Sequence, residues 1–460
     1  MSSEQNQYII QQVDFTTERF PEEIFDLTTS VVELNIFENI ELPYLTASLA
    51  MMDDVAFKTT IGIKGSERVA IHIKATSSSN TIIKKFMVTG IAKEISVNER
   101  TDVRVLTLIE EHAYLSAIQK ISEAYTGVPE NIIENILSSH LDKQLAYNNE
   151  NFDVQNFAAQ NKMKVIIPQW PPLEAVDWLR DRMSTENGSP FFLFATLRND
   201  DIHLDDLSTL INTTAWNVNT PYTYAQSSHN LFAAPDNADT QIRQLFHVKS
   251  YAASSIESTL RLSQSGALGA SYDVFNLTSG AETQDGFHSG RDTINQFMID
   301  LGYDPADGIA FDDNLEIGVA NKGLLNIGSY RSKVFSSVVA SRQFYDEDGS
   351  QLAGYHDENG NAGLYKLKIK SAALRSLLMN NVFTISVPGQ PYLLDPLAGV
   401  GSTIMLDYAM PTTDPTNNTQ IDPDRSGKFL VYKARHKFVD GIYDTQMDIV
   451  KLTKSTGSGS

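Results

Sequence analysis

Apolar and polar residues alternate with a period of two through several short stretches, which predicts a β-led chain. Val69, Ile71 and Ile73 alternate with Ala70, His72 and Lys74, the pattern of a half-buried strand. Val31 to Phe37 and Thr46 to Met51 flank Pro43 as two strands joined by a turn. Tyr365, Leu367 and Ile369 alternate with Lys366, Lys368 and Lys370, and read as a strand whose lysines solvate one sheet face. Asn381 to Val387 reads as a strand stopped by Pro388-Gly389. Gln244 to Tyr251 and Ser258 to Leu262 also read as strands, before a small-residue turn from Gly266 to Ala270.

Between these β stretches the pattern becomes helical. Leu115, Ile118, Ile121 and Tyr125 fall at helical spacing until Gly127 interrupts. Pro129 suits a first helical position, and Ile132, Ile133, Ile136, Leu137 and Leu141 form the next apolar stripe. Asn148 to Gln160 is polar and reads as a loop. After Ile167-Pro168-Gln169-Trp170-Pro171-Pro172, a helix with Leu173, Val176, Leu179 and Met183 on one face is predicted, closed by Asn187-Gly188. Phe191 to Leu197 follows as a very apolar strand, so the region reads as a compact α+β insertion. From Ile211 to Tyr330 the pattern loosens. Ala281 to Asp313 is acidic and Gly-punctuated, and reads as a surface embellishment.

One strand motif occurs twice. Lys85-Phe86-Met87-Val88 returns as Lys428-Phe429-Leu430-Val431, and basic residues follow each copy, Lys93 in one case and Arg435 with Lys437 in the other. Each copy leads through a polar turn, Asn98-Glu99-Arg100 or Asp440-Gly441, into another β-type run. Each is preceded by a Gly-Ser opening onto an apolar strand, Gly65-Ser66 before Val69 and Gly401-Ser402 before Ile404. The same order of parts around both copies predicts two related small β-domains in one polypeptide. A chain with two similar domains can build a near-sixfold ring from three copies.

Composition sharpens this picture. A chain of 460 residues has room for roughly three domains. With no cysteine it has neither disulfides nor thiolate chemistry. Met1 to Gln5 lacks the basic start of a secretion signal, and no stretch approaches the ~18 apolar residues of a membrane span, so a soluble chain is expected. The 36 basic and 57 acidic residues give a net charge of −21, which disfavours broad phosphate binding.

Candidate chemistry is sparse. The nine histidines form no His-x-x-x-His or His-Glu-x-x-His pair, so no zinc site is predicted. Glu110-Glu111-His112 invites an acid–base reading, but a surface cluster at a helix entry is the plainer expectation. Asp346-Glu347-Asp348-Gly349 and Asp357-Glu358-Asn359-Gly360 invite a calcium reading. An EF-hand places its Gly sixth whereas here it comes fourth, so two hairpin turns are expected, with a weak cation site left open. No Gly-x-x-x-x-Gly-Lys phosphate loop and no Gly-x-Ser-x-Gly elbow is present. Trp170 and Trp178 are expected to pack the insertion rather than to form a sugar platform with Trp216. No catalytic, cofactor-binding or metal-binding residue is assigned, and no enzymatic activity is expected.

The order of parts resembles the central baseplate hub proteins of contractile-tailed bacteriophages, the adaptors between tail tube and cell-puncturing spike. The likeness is carried by Val31 to Met52, by Ile167 to Pro172 with the following helix and Phe191-Phe192-Leu193-Phe194, by Ser250 to Asp273, and by Arg375 to Leu406 leading into Lys428 to Val450. It implies an α+β, β-dominated fold with two related small β-barrel domains, an inserted α+β domain and a further embellishment. On this reading residues 1–112 form the first barrel, 113–210 the insertion and 211–335 a connecting region that partly returns to the first barrel. Residues 336–455 form the second barrel and 456–460 a flexible tail. The resemblance also implies a homotrimer in a virion tail baseplate, assembled in the host cytoplasm. Its partners would be tube protein, central spike protein and neighbouring baseplate proteins, with DNA passing through the lumen unbound. Two alternatives stay open: the hub part of a secretion-system spike, and a glycan-binding or glycan-cleaving β-protein.

Overall fold

The computed structural model describes residues 8–54, 61–75, 81–98, 101–146, 163–181, 183, 185, 188–224, 244–253, 259–276, 282–302, 316–319, 323–326, 330, 332–339, 363–379, 382–409, 421–422 and 425–451. The first elements are β1 (Tyr8–Thr17), β2 (Phe20–Asp26), β3 (Val31–Asn39), β4 (Thr46–Asp54), β5 (Arg68–Ala75), β6 (Thr81–Asn98) and β7 (Thr101–Glu110). Next come α1 (Glu111–Ile118), β8 (Ile121–Gly127), α2 (Pro129–Leu141), β9 (Leu145–Ala146), β10 (Met163–Trp170), α3 (Pro172–Arg180), β11 (Phe191–Ala195), β12 (Ile202–Asp206) and α4 (Leu207–Asn212). The middle holds β13 (Tyr222–Tyr224), β14 (Ser250–Ala253), α5 (Thr259–Ser265), β15 (Gly269–Asn276), β16 (Glu282–Ser289), α6 (Gly290–Asp300), β17 (Glu316–Val319), β18 (Gly323–Asn326), β19 (Lys333–Val339) and α7 (Gly363–Leu378). Last are β20 (Val382–Pro388), α8 (Gln390–Leu394), β21 (Thr403–Tyr408), β22 (Gly427–Val439) and β23 (Ile442–Val450).

The fold is α+β and β-dominated. Its main sheet has 13 strands in the order β14-β20-β23-β22-β3-β4-β7-β6-β5-β1-β2, with β21 linking β22 to β13. The same path occurs twice in it: β3-β4-β7-β6-β5-β1 is matched by β14-β20-β23-β22-β21-β13. The pairs along both paths are antiparallel, save β21 with β13, which is parallel.

The sequence repeat falls on equivalent atoms. In each copy the register shifts just after the last valine of the motif, between Val88 and Gly90 and between Val431 and Lys433. The Val88 N–H donates to Glu67 O at 2.8 Å and the Val431 N–H to Ser402 O at 2.9 Å, so both Gly-Ser openings dock on the same point of their strands. Both openings use a left-handed glycine, Gly65 at φ +94° and Gly401 at φ +84°. They differ in surroundings: a Cβ on Gly401 would lie 2.5 Å from the Phe194 ring, whereas one on Gly65 meets nothing nearer than 3.7 Å. Gly401→Ala is therefore expected to cost about 2 kcal/mol and Gly65→Ala about 1 kcal/mol, read from urea unfolding midpoints.

Each half has its own apolar interior. Phe15, Leu34, Ile36, Leu49, Ile71, Phe86 and Leu108 fill the first, and Tyr222, Ile385, Tyr392, Ile404, Phe429 and Ile449 the second. The insertion buries the predicted stripe Ile132, Ile133, Ile136, Leu137 and Leu141 against Leu173, Val176 and Leu179. Trp170 and Trp178 pack edge to face at 5.6 Å beside this core, as expected.

Several sequence expectations fail for identifiable reasons. Ile121 and Tyr125 lie in β8, not on a helix, because a spacing of four fits one strand face as well as one helix face. Ser258 to Leu262 does not form a strand; α5 begins at Thr259. Tyr365, Leu367 and Ile369 start within α7, where Ile369, Ala373, Leu374, Leu377 and Leu378 are buried at helical spacing. Three alternating residues are too few to set a period against that longer stripe. The stretch from Ala281 is more than an embellishment: it supplies β16 and α6, and Phe297 and Met298 of α6 are buried in the second core. The α3 helix ends at Arg180, ahead of Asn187-Gly188. The Asn148 to Gln160 loop and the Asp346 and Asp357 turns lie outside the described residues.

Candidate functional site

The two halves meet strand to strand. β21 covers β22 only from Gly427 to Leu430, which leaves the rest of β22 with an open edge. β3 occupies that edge in antiparallel register from Lys433↔Asn39 to Val439↔Glu33. The period of two sorts the seam into two faces. Ala434, His436 and Phe438 turn inward against Glu38, Ile36 and Leu34. Lys433, Arg435 and Lys437 turn outward with Glu33, Asn35, Phe37 and Asn39. On that outer face Arg435 Nε donates to Asn35 Oδ1 at 2.9 Å, and Arg435 and Lys437 lie 3.6 and 3.8 Å from Glu33. A shallow cavity of about 290 Å³ opens there between Phe37, Thr46, Lys433, Arg435 and Asp448.

Behind the seam sits a buried anion. Glu38 and His436 have side chains at 0% exposure, with His436 Nε2 3.5 Å from Glu38 Oε1. The Leu197 N–H donates to Oε1 at 2.5 Å, and the Val400 N–H to Oε2 at 3.2 Å. The Tyr392 hydroxyl also donates to Oε2. One carboxylate thus ties β3 to the segment after β11, to α8, to the turn before β21 and to β22. Burial alone pushes the Glu38 carboxyl up, but the His436 contact and the Tyr392 and Leu197 donors outweigh it and hold it below the usual carboxylate range. The network continues outward: Tyr443 OH lies 2.7 Å from His436 Nδ1 and accepts from Thr445 Oγ1 at 3.0 Å. A second carboxylate, Glu41, receives Arg180 at 3.2 Å, Arg375 at 3.3 Å and the Tyr432 hydroxyl at 3.0 Å, fastening the insertion to α7 and β22.

Glu110, Glu111 and His112 are brought together, but not as a surface cluster. Glu110 shares the inward face of β7 with Leu106 and Leu108, and both it and His112 are buried. Its Oε2 accepts the Leu45 N–H at 2.9 Å, and Oε1 lies 3.9 Å from Lys84 Nζ and 3.8 Å from Lys143 Nζ. His112 Nε2 meets Pro43 O at 2.8 Å, and burial pushes this imidazole below its ordinary pKa. Glu110 and His112 clamp the turn between β3 and β4, whereas Glu111, partly exposed, pairs with Arg68 at 3.2 Å.

Trp216 lies apart from the other two tryptophans, against Tyr222 and Phe246, and lines a groove of about 310 Å³ with Pro391 and Leu394. Among the described residues no group of three or more His, Asp or Glu is placed to hold a metal ion. Among them, too, no helix is long and apolar enough to cross a membrane.

Sequence reasoning missed Glu38, His436, Tyr392 and Tyr443. A signal was present: Glu38 follows Leu34 and Ile36 on one parity, and His436 stands between Ala434 and Phe438. A charged or polar residue on the buried parity of a strand requires a partner across the core.

No protein-family model and no curated protein sequence matches the chain. Solved structures do. The tail protein from Neisseria meningitidis superposes with a TM-score of 0.50 at 9% identity, over 97% of this chain and 97% of that one. The 43 kDa tail protein of prophage MuSo2 from Shewanella oneidensis gives 0.46 at 10% identity, over 96% and 98%. A type VI secretion system component of E. coli gives 0.41 at 8% identity, over 92% of this chain and 74% of that one. At such identities the likeness is one of architecture: over nearly its whole length, this chain has the fold of the Neisseria tail protein.

Proposed function

We propose that the chain is a non-enzymatic structural hub of a contractile phage tail baseplate, three copies of which form a ring between a sixfold tube and a threefold spike. The observation that carries this is the strand path repeated within one chain and joined to itself at the seam of β22 and β3. A chain that already sets two like units edge to edge needs only a rotation to continue the pattern, and three copies give six units. The first unit draws on residues 1–112. The second draws on 336–455 together with β13 and β14 from the connecting region. The fold shared with the Neisseria tail protein supports the same reading.

A channel through such a ring would pass DNA without holding it. At the seam the outward cations Arg435 and Lys437 stand beside the chain's own Glu33, and near β14 Lys249 lies 2.5 Å from Asp444 of β23. With a net charge of −21, little positive potential is left for phosphates. In the virion the ring would contact tube protein on one side and spike protein on the other.

The test is the native mass, measured alone and with candidate spike protein. A species near three times the 51.0 kDa chain mass, about 153 kDa, is expected in at least one condition. A monomer in both would overturn the ring.

A further inference from the structure

We propose that the open edge of β6, from Gly90 to Asn98, takes β14 of a second copy as its antiparallel partner, repeating between chains the seam that β22 and β3 form within one. The inference rests on the ring reading above and deepens it to named strands and a register.

Among the described residues, two strands of the main sheet keep a bare edge of the required kind. β5 covers β6 only from Thr81 to Met87, and after the bulge at Val88 and Gly90 the only strand paired with β6, among the described residues, is β7. β6 here is the counterpart of β22, whose own extension beyond its bulge is the part that β3 covers. β14 is the counterpart of β3. It pairs with β20 and ends the strand order at that side.

The exposed side chains mark the β6 edge as unfinished. Ile91 stands opposite the wholly buried Leu106 and so faces the core, yet it is 42% exposed, whereas its counterpart Ala434 at the in-chain seam is 2% exposed. Ile95 is also 42% exposed. On β14 the residues Ser250, Ala252 and Ala253 are exposed and small, which lets a second backbone approach. The far end of the sheet is different: β2 is lined by Pro21, Glu22 and Glu23, the guarded kind of edge. An unguarded edge on β14 and an open core at β6 are what a strand-to-strand joint requires at its two sides.

The register follows from the repeat. Ile91 and Ala434 are equivalent because they oppose Leu106 and Met447, which in turn oppose Leu49 and Ile385. Following both ladders outward, Glu94 takes the place of His436 and Ile95 that of Lys437. Likewise Tyr251, Ala252 and Ala253 take the places of Leu34, Asn35 and Ile36. Lys437 opposes Asn35 and His436 opposes Ile36 within the chain. Between chains, Ile95 therefore opposes Ala252, and Glu94 opposes Ala253.

The chain has no cysteine, so a pair introduced by Ile95→Cys and Ala252→Cys reports this contact alone. Opposed Cβ atoms of neighbouring strands lie within disulfide reach. Under mild oxidation the double variant is expected to give reducible two-chain and three-chain species, about tenfold above either single variant. A pair shifted to Tyr251→Cys, whose side chain takes the other face, should lose most of that product. Native mass on the same samples separates the two claims. A ring-sized species whose cysteines do not cross-link at this register overturns the strand assignment and leaves the ring intact. A monomer that does not cross-link, with or without spike protein, overturns both. Because both positions are exposed, misfolding is not expected; an unchanged unfolding midpoint of the reduced double variant verifies this, and Ile91→Asp, which charges the same edge, should shift the mass from ring to monomer.

Discussion

Glu38→Ala is expected to lower the stability of the chain by about 3–5 kcal/mol at neutral pH, the range measured when one partner of a buried ionic network is removed. The loss has two parts. The Leu197 and Val400 N–H groups and the Tyr392 hydroxyl all direct their hydrogens at this carboxylate, and the alanine leaves the three donors buried without an acceptor. His436 also loses its anionic neighbour inside a site with no exposure. Glu38→Gln keeps the shape and one acceptor oxygen but turns an amide N–H₂ toward existing donors, so a loss of about 2 kcal/mol is expected there. His436→Leu combined with Glu38→Leu replaces the network by packing, and this double variant should lie closer to the parent than Glu38→Ala does. Urea unfolding of the four proteins measures all of this. A Glu38→Ala midpoint within about 1 kcal/mol of the parent would mean that the seam is held by its strand pairing alone. The pH dependence has a definite sign. The folded Glu38 carboxyl lies below its ordinary value of 4.5, so its contribution is complete above that pH and is lost as pH falls through the lower folded value.

Much of this architecture could be read from residue patterns, and the failures have a common cause. The repeat was legible because Lys-Phe-x-Val and the Gly-Ser openings are local: the valine that ends each motif is also the residue whose N–H holds the opening. The α2 stripe was legible because five apolar residues over three turns fix a period. Tyr365 to Ile369 and Ser258 to Leu262 were misread because each window is shorter than two helical turns, and the burial that decides them comes from elsewhere in the fold. The seam was hidden for a related reason. Glu38 and His436 are about 400 positions apart, and Tyr392 joins them only through α8. Parity marks each as inward, but only the fold shows that they meet. Glu110 carries the same lesson: its parity on β7 is buried, while its sequence context suggested a solvated helix entry.

Glu130 carries the second large effect, and of the opposite kind. It occupies the first turn of α2, after Pro129, with 0% exposure and, among the described residues, with neither carboxylate oxygen hydrogen-bonded. An acidic residue near a helix start is favoured by the helix dipole, which accounts for the type at this position. Burial nonetheless dominates and pushes the carboxyl up to about 7 against an ordinary value of 4.5, with only its own backbone N–H acting the other way. The folded chain therefore binds a proton more tightly here than the unfolded chain does. Stability from this group is fully present below pH 4.5 and is lost as pH rises toward 7. The whole span is about 3 kcal/mol. Glu130→Gln fixes the neutral form. The variant is expected to be about 3 kcal/mol more stable than the parent at pH 8 and within about 1 kcal/mol of it at pH 4.5. Urea unfolding of both proteins across pH 4.5 to 8 measures the difference. If the gap between them does not grow with pH, water or a cation reaches this carboxylate in solution. The insertion would then open at the start of α2, and the dry contact between α2 and α3 would not be the resting state of the chain.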